Sequence, residues 1–180
     1  MVPYKLFKLR FLLSSFFFGC LVSYSFAQSQ KTSICLNPNF DQKIANTISH
    51  TIPVISPNQL KELTSPVILD TRELEEYKIS HIEGAFPAGY EDFDLDQFLY
   101  LPKDTTIVVY CSIGYRSEKI GERLKKKGFT NVLNLYGSIF EWANQENPLV
   151  DSLGNLTNNI HTYNKAWSKW VDEKKVRKIW

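Results

Sequence analysis

The clearest pattern in the chain is Thr106-Ile107-Val108-Val109-Tyr110, an uncharged run of β-branched and aromatic residues. A run of this kind, without polar alternation, predicts a central parallel strand covered on both faces. Val67-Ile68-Leu69, ending at Asp70, and Val132 to Leu135 predict two more strands, with Val54-Ile55 as a short apolar pair. Ser56-Pro57 supplies an N-cap and a proline at the first helical position, predicting a short helix through about Leu63. Thr71 is placed to cap Arg72 to Lys78, where Glu73, Glu75 and Glu76 suit the positive end of a helix. Gly84 to Pro87 reads as a turn and short strand, and Leu95 to Tyr100 as another short helix. Ser117 to Lys127 carries Ile120 and Leu124 on one face and stops at Gly128, while Gly137 turns into a short helix with Phe140 and Trp142. Strands and helices alternate. The expected class is α/β, with a mainly parallel central sheet flanked by helices.

The flanks differ from this block. Residues 1–27 read as an export signal: Lys5, Lys8 and Arg10 precede the mostly apolar Phe11 to Phe26, and Ser25-Phe26-Ala27 suits cleavage after Ala27. The apolar run is diluted by Ser14, Ser15, Ser23 and Ser25, which argues against a membrane anchor. Cleavage before Cys20, as in a lipoprotein, is the second option. The expected place is therefore outside the cytoplasm, periplasmic or secreted. Residues 28–52 are polar and read as an extension, either loosely ordered or packed on the domain edge. Residues 53–150 form the predicted domain. Residues 151–180 read as a turn-rich linker and an amphipathic C-terminal helix with Trp167, Trp170, Val171 and Trp180 among lysines. That helix would dock on the domain or meet a partner or an anionic membrane surface.

The net charge of +2 over 180 residues gives no global sign of nucleic-acid binding. Three cysteines do not make a disulfide scaffold in an exported chain. If cleavage follows Ala27, Cys35 and Cys111 remain, and the sequence leaves open whether they pair with each other. No Cys/His cluster has metal-ligand spacing and no glycine-rich phosphate loop is present, so no metal or cofactor is expected.

Cys111 follows directly on the predicted buried strand, and Ser112-Ile113-Gly114-Tyr115-Arg116-Ser117 leads into the next helix. Ligands of open α/β sheets bind at this end of the strands. Loop amides and the helix N-terminus facing the sulfur favour a thiolate and a bound anion. Arg116 adds a fixed charge, and Gly114 lets the loop curl.

These residues resemble the active-site loop of the rhodanese family, Cys-x-x-Gly-x-Arg-Ser. Asp70-Thr71-Arg72, Glu76-Tyr77 and His81-Ile82-Glu83-Gly84-Ala85 resemble its first signature, with Ser80 where glycine is usual. Leu135-Tyr136-Gly137-Ser138, followed by Trp142, is similar to its closing motif, with Ser138 in place of a second glycine, and Pro148 and Val150 match its end. The resemblance implies sulfur transfer. Cys111 would attack the outer sulfur of thiosulfate or of a persulfide or polysulfide donor, and a thiol or cyanide would take the sulfur from the resulting persulfide. Amides of Ser112, Ile113, Gly114, Tyr115 and Ser117 would hold the terminal sulfur. Arg116 would position an anionic donor and favour the thiolate. Asp70 and Arg72 would brace the loop, and His81 would pack a turn. Ile113 and Tyr115 make the loop less polar, which leans toward a persulfide or polysulfide donor.

Two rival classes stand beside this one. Tyrosine phosphatases and arsenate reductases also combine Cys, loop and Arg, but the phosphatase loop has five intervening residues where four separate Cys111 from Arg116. A rhodanese-like module can also act as a sulfur carrier or a binding unit without turnover.

Overall fold

The computed structural model describes residues 33–180. The expected export signal, including the Cys20 alternative, lies outside the described residues. Five parallel strands form the central sheet in the order β1-β5-β4-β2-β3. They are β1 (Val54–Ile55), β2 (Val67–Asp70), β3 (Phe86–Pro87), β4 (Ile107–Tyr110) and β5 (Val132–Leu135). The helices are α1 (Pro38–Ala45), α2 (Pro57–Glu62), α3 (Leu74–Ile79), α4 (Tyr115–Lys126), α5 (Ser138–Asn144) and α6 (Lys165–Ser168), with a 3₁₀ turn at Leu95–Phe98. A separate pair, β6 (Asn159–His161) and β7 (Arg177–Ile179), is also parallel.

Every residue of β4 is buried, as its uncharged run predicts. Its side chains alternate between two cores. Val108 and Tyr110 join Phe40, Ile44, Phe140 and Trp142, while Ile107 and Val109 join Ile120 and Leu124 of α4. The sheet is thus covered by α4 on one face and by α1 and α5 on the other.

The extension at 33–52 is structured and belongs to the core. Asn37 caps α1 through its side chain, Pro38 opens it, and Phe40 and Ile44 are fully buried one turn apart. The carboxylate of Glu118 in α4 accepts the amides of Ser49 (2.8 Å) and Thr51 (3.0 Å), fastening the segment to the domain.

Two expectations need correction. Helix α3 starts at Leu74 rather than Arg72, because the Thr71 hydroxyl donates to the Tyr110 carbonyl at 2.9 Å instead of capping. Residues 161–180 do not form an amphipathic helix. Asn164 caps a single turn, α6, and the chain then leaves helical geometry. Asn144, at the end of α5, donates to the Trp170 carbonyl (2.9 Å) and accepts the Asp172 amide (3.0 Å). These tertiary bonds replace the helical ladder, and β7 pairs with β6. Phe40 stacks on Trp170 with centroids 5.5 Å apart, so the two flanks pack together. Among the described residues no helix is long and apolar enough to cross a membrane.

Candidate active site

Cys111 sits at the carboxyl end of β4, directly after its last strand residue Tyr110, and is 1% exposed. The Gly114 amide donates to Cys111 Sγ at 3.1 Å. Gly114 has φ 117°, a conformation that glycine adopts without strain, and it opens α4. Asn134 of β5 pins both sides of this turn: its Nδ2 donates to the Gly114 carbonyl (2.9 Å) and its Oδ1 accepts from the Ser117 hydroxyl (2.7 Å).

The loop is also held from α5. The Cys111 amide donates to Ser138 Oγ at 3.1 Å, and that hydroxyl donates to the Leu135 carbonyl at 3.1 Å. The amides of Ile139 and Phe140 donate to the carbonyls of Cys111 and Ser112. First-turn amides of a helix need such outside partners. Gly137, at φ 71°, is required by space as well: an added Cβ would lie 2.5 Å from Glu141 Cβ.

Burial alone would push the Cys111 thiol up. The Arg116 guanidinium and the amides of Ser117, Gly114 and Ile113 outweigh it and bring the thiol below its ordinary value. Arg116 is itself clamped. Its Nη1 and Nη2 donate to the two carboxylate oxygens of Glu76 at 2.7 and 3.0 Å, and Nη2 also donates to Ser112 Oγ at 3.1 Å. Burial would raise the Glu76 carboxyl, but Arg116 holds it below the usual carboxylate range. The fork of Arg116 is therefore occupied, and what it offers Cys111 is charge at a fixed place.

Asp70 and Arg72 lie behind the loop. Arg72 Nε and Nη2 donate to Asp70 at 2.9 and 2.6 Å, and the Tyr110 hydroxyl donates to Asp70 Oδ2 at 2.7 Å. Arg72 also donates to the Ser80 carbonyl at 2.6 Å. Ser80 has φ −168°, extended backbone open to any residue, so the usual glycine is not needed there. His81 stacks on Tyr77 at 3.7 Å between centroids and pairs with Val150.

A cleft of about 650 Å³ opens over Cys111, with Ser112, Ile113, Tyr115 and Arg116 on its floor. Its walls are Thr47, Glu73, Tyr90, Glu91, Tyr163 and Trp167. Tyr163 lies over the Arg116 guanidinium, 5.5 Å from ring centroid to Cζ. The predicted loop residues come together as a unit, while Glu76, Asn134, Ser138 and the wall residues have roles the motif reading did not assign. Glu76 was visible as the acid of the Glu-Tyr pair; the walls come from distant segments. Among the described residues, no three acidic, Cys or His side chains cluster to hold a metal ion.

The family model of the rhodanese-like domain matches residues 56–145, and the chain belongs to that family. Similar curated proteins include tRNA uridine(34) hydroxylases from Bdellovibrio bacteriovorus (34% identical over 53% of this chain) and Streptococcus pyogenes (37% over 56%). The chain covers 29% and 33% of those two proteins, about a third of their length. The solution structure of a rhodanese-like domain from Anabaena is similar at 27% identity and TM-score 0.51, over 55% of this chain and 79% of that one. A thiosulfate sulfurtransferase from Pseudomonas aeruginosa shares the fold at 20% identity and TM-score 0.53, over 66% of this chain and 23% of that one.

Proposed function

We propose that this chain is a sulfurtransferase that carries sulfane sulfur on Cys111. The observation that bears most weight is a buried sulfur facing the Gly114 amide at 3.1 Å with the clamped Arg116 charge beside it. In the first step the Cys111 thiolate attacks the outer sulfur of the donor. The donor's sulfur–sulfur bond breaks, and sulfite, or a thiolate from a persulfide, leaves with the electron pair. In the second step an acceptor nucleophile attacks the outer sulfur of the Cys111 persulfide and the thiolate returns. Amides of the 112–117 loop stabilise the terminal sulfur anion. A small anion or persulfide as donor and a thiol as acceptor complete the cycle.

The hydroxylase relatives do not supply a better reading. The acids Glu73 and Glu91 on the cleft walls disfavour a polyanion such as RNA. A non-catalytic sulfur carrier would load in the same way but fail to release sulfur to small acceptors. The test is intact mass after incubation with thiosulfate, followed by a cyanide chase. The expected result is a gain of about 32 Da that cyanide removes as thiocyanate and that Cys111→Ser lacks. A free, unmodified Cys111 after incubation with thiosulfate and with polysulfide would reject the proposal.

A further inference from the structure

We infer that the cleft over Cys111 selects a sulfur donor with an aromatic or apolar body and at most one negative charge, and disfavours the thiosulfate dianion. This rests on the persulfide reading above and names its substrate class. Size is the first observation: about 650 Å³ is far more room than a five-atom inorganic ion fills.

The walls are the second. Tyr90, Ile113, Tyr115, Tyr163 and Trp167 line the cleft, and Tyr115 and Tyr163 are 45% and 55% exposed, leaving ring surface for a ligand. Tyr163 and Trp167 lie beyond the family match at 56–145, and Thr47 lies before it. The flanks hold Trp167 in place. Lys43 of α1 sits 5.2 Å from the Trp167 ring, and Asn164 Oδ1 accepts the Trp167 amide at 3.1 Å.

Charge is the third. Among the described residues lining the cleft, Arg116 is the only base, and Glu76 already takes its fork. Glu73 and Glu91 add two acids. A dianion would enter against this charge, whereas an apolar monoanion gains ring contact and needs only the loop amides for its one charge.

Three donors of one chemistry separate these factors: thiosulfate, methanethiosulfonate and benzenethiosulfonate. With each, Cys111 attacks the outer sulfur, the sulfur–sulfur bond breaks, and sulfite or the sulfinate departs with the electron pair. The readout is the initial rate of sulfur gain at Cys111, followed by peptide mass mapping of the full chain and divided by the rate of a small free thiol with the same donor. Benzenethiosulfonate should load about tenfold faster than thiosulfate on this scale, with methanethiosulfonate between them. Tyr163→Ala, at an exposed position, should narrow the benzene-to-methane ratio, and Glu91→Gln should raise thiosulfate loading. Equal rates, or a preference for thiosulfate, would overturn the selectivity while leaving the Cys111 reading intact. No sulfur gain from any donor would overturn both.

Discussion

Cys111 and Cys35 are both free, and both are buried, at 1% and 3% exposure. Their surroundings differ in sign. Around Cys111 stand amide hydrogens and a guanidinium, and the thiol is brought down despite its burial. Cys35 packs its sulfur toward Gly137, and burial together with Glu141 and Asp41 pushes its thiol far up. Two cysteines equally hidden from water thus have opposite chemistry. Burial sets a common penalty, and the charge and hydrogen-bond donors within a few ångströms decide whether it is overcome.

The largest expected effect is in alkylation. Iodoacetamide at neutral pH, followed by peptide mass mapping, should modify Cys111 at least about 100-fold faster than Cys35. Each pKa unit of difference removes about a factor of ten in thiolate. Cys111→Ser should leave Cys35 almost unlabelled, and Cys35→Ser should leave the labelling of Cys111 unchanged. Comparable labelling of both sites would break the comparison.

A smaller effect follows from removing the charge. The thiolate is the reacting form, so the loading rate rises with pH through the Cys111 pKa and levels off above it. Because that pKa lies below the ordinary thiol value, the wild-type rise falls below the ordinary thiol range. Arg116→Ala should move the rise to higher pH and cost about tenfold near neutrality, with the rate regained in alkali, as one pKa unit corresponds to one decade. Arg116→Lys should lie between. A loss that persists at every pH would mean that Arg116 only shapes the loop.

How much of this was legible in the sequence varies along the chain. The Cys111 loop is local: seven consecutive residues carry the nucleophile, the turn glycine and the charge, and the buried strand before them is an uncharged run. Helix α1 announced itself in the same terms as α2. Asn37-Pro38 repeats the cap and proline of Ser56-Pro57, and Phe40 and Ile44 are spaced one turn apart. The polar composition of 28–52 masked that signal. The C-terminal segment could not be read in this way, because Asn144, more than twenty residues upstream, supplies the hydrogen bonds that end its helix. The cleft walls are non-local for the same reason, since Thr47, Tyr90 and Tyr163 meet only in the fold.

Ser138 tests how the fold holds the reactive cysteine, through stability rather than through the rate of its chemistry. Its hydroxyl satisfies the buried Cys111 amide, yet the residue sits at φ 51°, where a glycine would be unstrained. Ser138→Ala keeps the backbone strain and leaves that amide without its partner, a loss of about 1–3 kcal/mol. Ser138→Gly loses the same bond but relieves the conformation, which recovers about 1 kcal/mol of the penalty for a left-handed residue. Urea unfolding should therefore rank wild type above Ser138→Gly, and Ser138→Gly above Ser138→Ala. If the alanine variant proved as stable as the glycine variant, backbone strain would play no part at this position. If both matched the wild type, the Cys111 amide would have another partner, and the loop that lowers its thiol would not depend on α5.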